Sequence, residues 1–130
     1  KRNDQAAFTA FAGLGALFAA EGGFDEALFF YDKAMASPDP VAAAKAGFAR
    51  AAVLDRAGKG DEARQAYLRL AYLYPGQVEL TADALLAAAR LALDDPQTFI
   101  KIRDKLENIK LTPQQADTLK KIVEENKRAD

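Results

Sequence analysis

The stretch "FAGLGALFAAEGGFDEALFFYDKA", residues 11–34, decides the fold. It holds Gly13-x-Gly15 and, further on, Gly22-Gly23, a density of glycine that invites a nucleotide-site reading. A dinucleotide cradle needs a strand before a G-x-G-x-x-G run and a helix opening at it. Here Phe18 stands where the third glycine belongs, and apolar residues at helical spacing lie on both sides. "GKGDEA" at 58–63 lacks the earlier glycine of a P-loop. The glycines belong to a helical pattern.

The rest of the chain agrees with that reading. Its 130 residues make one domain's worth of chain, half of it hydrophobic and dominated by Ala and Leu, which lose little side-chain freedom in helices. Lys and Arg number 18 against 19 Asp and Glu, a net charge of −1. Nucleic-acid binders need a basic surface to displace counterions, so that class of partner is not expected. There is no cysteine and no histidine. Disulfides, zinc sites built from those ligands, and thiol or serine–histidine catalysis are therefore excluded. No apolar run approaches the ~20 residues that span a bilayer, so no membrane insertion is expected. The chain opens Lys1-Arg2-Asn3-Asp4 without a methionine, which reads as a processed or excised piece.

Glycine and proline cut the chain at Gly22-Gly23, Ser37-Pro38-Asp39-Pro40, Gly58-Lys59-Gly60, Tyr74-Pro75-Gly76, Asp94-Asp95-Pro96 and Leu111-Thr112-Pro113. Between the cuts lie helical-period segments. Asp39-Pro40, Asp95-Pro96 and Thr112-Pro113 each set a capping side chain before a proline at the first helical position. Thr112 and Gln115 complete a capping box. Gly22 and Gly58 suit the left-handed residue that ends a helix. The expectation is an all-α chain of seven helices.

The helices repeat in pairs. "GGFDEALFFYDKA" (22–34) matches "GKGDEARQAYLRL" (58–70), with Ala27 and Ala63 standing 36 residues apart, and another such step reaches Phe99. That period marks a helical-hairpin array. The first unit, with Phe11, Leu14, Gly15, Phe18, Ala27, Tyr31 and Ala34 in place, resembles a tetratricopeptide repeat. The second keeps Ala51, Leu54, Ala63, Tyr67 and Pro75 but departs at Gly47 and Arg50, where the family prefers larger apolar residues. The third is degenerate, and its first helix aligns on either Ala87 or Ala89. The resemblance covers about residues 8–109. It implies one domain over 1–130: repeats at about 8–38, 40–75 and 77–110, and a capping helix at 112–128. The implied architecture is a right-handed superhelical array. In this family only a small residue fits where the two helices of a hairpin cross, which implies Gly15 facing Ala27, and makes Gly15→Ala a mild change.

The resemblance also implies a concave groove for a peptide or helix of a partner protein. Its positions are Thr9, Ala12, Ala16 and Ala19 in the first unit, and Lys45, Phe48, Ala52, Asp55 and Arg56 in the second. In the third they are Asp83, Leu86 and Arg90, if Ala89 is the contact residue. Phe48 is the expected hydrophobic anchor, and charged edges would set register. Ala12 and Ala16 replace the residues with which chaperone-tail receptors of the family clamp a carboxylate, so that partner is rejected. Alanine-rich repeats with a Tyr-Pro break look most like bacterial envelope members of the family, which implies a periplasmic or cytoplasmic setting with the periplasm favoured.

Other chemistry reads as bland. Asp25-Glu26, Asp94-Asp95 and Glu124-Glu125 fall at helix starts or on a polar helix face, where acids suit the dipole or solvate the protein. No nucleophile–base pair or metal set can be assembled, so neither an enzyme nor a cofactor is expected. Phe30 and Tyr31 fit the repeat pattern, but Phe29 does not, since Gln65 is its counterpart. Leu28 and Phe29 are thus a candidate contact on the face away from the groove, with burial under a loop as the other reading. Self-assembly is the alternative function, and a dimer held by these rings alone would be weak. The last helix offers a narrow stripe of Ala116, Leu119, Ile122 and Val123, suited to covering the end of a stack.

Overall fold

The computed structural model describes residues 2–129. Seven helices account for most of them: α1 (Arg2–Ala20), α2 (Phe24–Ala34), α3 (Pro40–Arg56), α4 (Gly60–Leu73), α5 (Val78–Arg90), α6 (Pro96–Glu107) and α7 (Pro113–Ala129). No strand occurs among the described residues. The all-α class and the seven helices of the sequence reading are both present. The chain forms two compact units, one up to Ala66 and one from Tyr67 onward, so the boundary falls within α4.

Helix ends follow local chemistry. The Asp39 carboxylate accepts from the Val41 backbone N–H at 3.1 Å, and Asp95 accepts from the Thr98 N–H at 3.2 Å and the Thr98 hydroxyl at 2.7 Å. Each satisfies a donor that the first helical turn leaves orphaned. α1 and α3 stop in the same way. Gly22 and Gly58 take φ of +80° and +81°, and the next residue's N–H reaches back to Phe18 O (2.8 Å) and Leu54 O (2.9 Å). The N–H groups of Gly22 and Gly58 donate to Ala19 O and Asp55 O. This double bond pattern closes a helix on a left-handed residue, a conformation glycine adopts without a Cβ penalty. Every member of the second motif lies 36 residues after its counterpart in the first. The repeat is therefore conformational as well as compositional.

In the first unit α1 packs on α2, α2 on α3, and α1 also touches α3. The core holds Ala19 from α1, Ala27, Tyr31 and Ala34 from α2, and Ala46 and Val53 from α3. Phe11, Phe18, Phe24, Leu28 and Met35 pack around it. Ala19, read above as a groove position, belongs to this core instead. Gly15 is buried where α1 packs on α2, and a Cβ added there would meet the Tyr31 ring first. Arg50, the residue that breaks the repeat pattern, reaches from α3 toward α2, its Nε 3.9 Å from Asp32 Oδ1.

In the second unit α5 packs on α6 and α7. Phe99, Leu85, Leu106 and Ile122 are its largest fully enclosed side chains. α7 is pinned by Gln115, which is buried in place of the expected Ala116, itself exposed. Thr112 Oγ1 accepts from the Gln115 N–H and Gln115 Oε1 accepts from the Thr112 N–H, both at 3.1 Å. The Gln115 amide then donates to Glu79 O at 3.0 Å and Asp83 Oδ1 at 2.9 Å. One side chain thus caps its own helix and ties it to α5. A buried amide bonded this fully escapes the desolvation cost of an unpaired one.

Candidate functional site

A cavity of about 510 Å³ opens in the first unit between α1 and α3. Gln5, Phe8, Thr9 and Ala12 line one wall, spaced as one face of a helix, and Ala42, Lys45 and Ala46 line the other. Tyr31 and Ala34 of α2, both buried, close it from behind. Alanine methyls supply much of the lining, so an incoming backbone can approach both helices. Lys45 is exposed and is the only charged side chain among the described residues that line the cavity. Burial pushes the Tyr31 phenol above its ordinary value of 10.0, so it stays neutral and can only donate or accept a hydrogen bond. A surface of this kind binds by shape, with one cation for orientation. A smaller hollow of about 370 Å³ lies at the start of α2, between Gly22–Glu26, Leu28, Ala57 and Lys59.

Of the groove positions read from the sequence, Thr9, Ala12 and Lys45 meet at the larger cavity. The others do not line it. Ala16 is exposed beyond its edge. Phe48, the expected anchor, is half-buried and has contacts of its own. Asp55 and Arg56 are exposed at the end of α3, where the Arg56 guanidinium lies 5.2 Å from the Phe24 ring centroid. Ala52 is half-buried. In the second unit Arg90 is exposed, while Asp83 accepts from Gln115. Leu86 is only 5% exposed and offers no surface to a partner. Ala89, on which that register rests, is fully buried, and Ala87 is half-buried.

Gln5, Phe8, Ala42 and Ala46 were missed by the sequence reading. The signal was available for two of them, because extending the α1 stripe two turns back from Ala12 passes through Phe8 and Gln5.

On α2, Leu28 is half-buried and Phe29 is 56% exposed. The Phe29 ring meets Phe30 edge-on at 5.2 Å, and Lys33 Nζ sits 4.9 Å from its centroid. Phe30 in turn stacks on Phe18 at 5.6 Å and Phe11 at 6.3 Å. Among the described residues no group of three His, Cys, Asp or Glu side chains could hold a metal ion, and no helix is long and apolar enough to cross a membrane. No family model, curated protein or solved structure matches the chain.

Proposed function

We propose that this chain is a protein-binding module of tetratricopeptide-like hairpins, and that it seats a peptide or helix of a partner protein between α1 and α3. The observation that carries this reading is the cavity itself. It is open, walled by two helices 36 residues apart in register, lined by four alanines beside Gln5, Phe8, Thr9 and Tyr31, and marked by the cation of Lys45. The partner segment is correspondingly small and apolar on its inner face, with an acidic group opposite Lys45. A bacterial envelope setting fits the composition.

Thr9 and Lys45 are both exposed, so changing them leaves the core intact. Thr9→Trp fills the cavity, and Lys45→Glu reverses its charge. Each is expected to keep the native melting temperature and to lower recovery of the bound protein by about tenfold in a side-by-side pull-down. Equal recovery by all three chains would remove the groove from consideration.

Self-association is the second reading, favoured by the exposed Phe29 ring. It requires an assembly that sedimentation detects and that Phe29→Glu dissociates with helix content unchanged. A native chain that sediments as a monomer up to about 1 mM rules it out.

A further inference from the structure

Tyr31 borders the cavity between α1 and α3, 7% exposed and held within the core of the first hairpin. A buried tyrosine ordinarily finds a hydrogen-bond partner for its hydroxyl. The Tyr31 hydroxyl has none among the described residues. Nor is it sealed away, because the enclosed side-chain nitrogen and oxygen atoms without a partner among those residues are Arg50 Nε and Arg103 Nε. The phenol oxygen therefore keeps an opening, and the cavity is the space that its side chain lines.

The second repeat treats the same places differently. One period of 36 residues along, Phe48, Tyr67 and Leu70 stand where Ala12, Tyr31 and Ala34 stand. Leu70 is 3% exposed, and Phe48 and Tyr67 have contacts of their own. The first repeat has alanine at two places where the second has large side chains. Its tyrosine keeps an unspent hydroxyl beside the space they leave.

These groups dictate the chemistry of an occupant. Lys45 on the α3 wall is exposed and pairs with no carboxylate among the described residues, so an acid complements it. Tyr31 calls for an unspent acceptor brought down between alanine methyls. Inside a helix each carbonyl is spent on the N–H four residues on, and side chains sheathe the backbone. An extended chain with small side chains carries an unspent carbonyl at every residue.

Resting on the peptide-binding reading of this cavity, we infer that the Tyr31 hydroxyl is its hydrogen-bonding anchor. It donates to a backbone carbonyl of an extended segment that carries an acidic side chain for Lys45. The α1 wall from Gln5 to Ala12 runs about 10 Å, which about three extended residues span.

The probe is a fluorescein-labelled acetyl-Ala-Ala-Glu-Ala-Ala amide, titrated with the intact chain and followed by anisotropy. This linear peptide is expected to bind saturably below about 1 mM, and about tenfold more tightly than the same sequence held helical by a hydrocarbon staple. Tyr31→Phe removes the hydroxyl and keeps the ring. It weakens the linear peptide about tenfold and leaves the melting temperature of the free chain at or above the native value, since no protein partner is lost. A hydroxyl with only a structural role would instead lower the melting temperature and leave the affinity alone. The assignment is overturned by that pattern, by no binding of the linear peptide up to about 1 mM, or by tighter binding of the stapled helix. Thr9→Trp separates the anchor from the cavity. If it abolishes binding while Tyr31→Phe does not, the cavity stands as the site and the anchor falls; if it leaves binding unchanged, both fall.

Discussion

Gly15→Leu is expected to destabilise the first hairpin by about 3 kcal/mol or more, a large share of the 5–15 kcal/mol that holds a typical domain folded. A Cβ at this position would lie 2.9 Å from Cγ, Cδ1 and Cε1 of Tyr31, inside the contact distance of carbon atoms. The ring has little room to retreat, being 7% exposed between the buried Ala27 and Ala34 on its own helix. Even Gly15→Ala is therefore expected to cost about 1 kcal/mol, because the clash outweighs the roughly 1 kcal/mol that alanine gains in helix propensity. This revises the sequence expectation that alanine would be mild. Urea denaturation followed by circular dichroism measures both losses. Tyr31→Leu combined with Gly15→Ala should recover part of the cost, since the two changes share one contact. An alanine variant as stable as the native chain would show that the ring can slide aside.

What was legible in the sequence is what is local. Asp39, Asp95 and the Thr112–Gln115 box act within one helical turn, and Gly22 and Gly58 act through their own φ. Each such signal needs no knowledge of what packs where, so the helix ends could be placed from the residues alone. Of the groove positions that the family resemblance implies, Thr9, Ala12 and Lys45 line one cavity.

The same reasoning failed in the third hairpin for a physical reason. Asp83 is bonded to Gln115, 32 residues away, and no spacing rule connects them. Leu86 is enclosed because α5 carries packed helices, and apolar period alone cannot say how much of a helix is enclosed. Gln115 shows the limit most clearly. Apolar patterning selects Ala116 for the inner face of α7, but a glutamine that caps its own helix and spends both amide hydrogens on α5 is the better buried residue. Arg50 looked like a break in the repeat. It is an inter-helix contact whose partner, Asp32, sits on the preceding helix.

Phe99→Ala is expected to cost about 3–5 kcal/mol and to leave the second unit largely unfolded at temperatures the native chain tolerates. The periodic reading would suggest the opposite. Ala27 and Ala63 occupy the equivalent places, both fully buried, so alanine at 99 restores the repeat. The packing decides against it. Phe99 is 0% exposed and is among the largest enclosed side chains of the chain, beside Leu85, Leu106 and Ile122 in the same class. α5 reached its place with Ala82, Ala84, Ala88 and Ala89 all buried, which leaves volume that only a large residue on a neighbouring helix can fill. Removing the ring would leave a void that alanine methyls cannot reach across, and the cost grows with the volume left empty. Phe99→Leu keeps most of the volume and should lose about 1–1.5 kcal/mol. Thermal melts of the two variants separate the readings. If Phe99→Ala melts with the native chain, the third hairpin has collapsed onto the small-residue crossing of the first two, and its packing is set by the repeat after all.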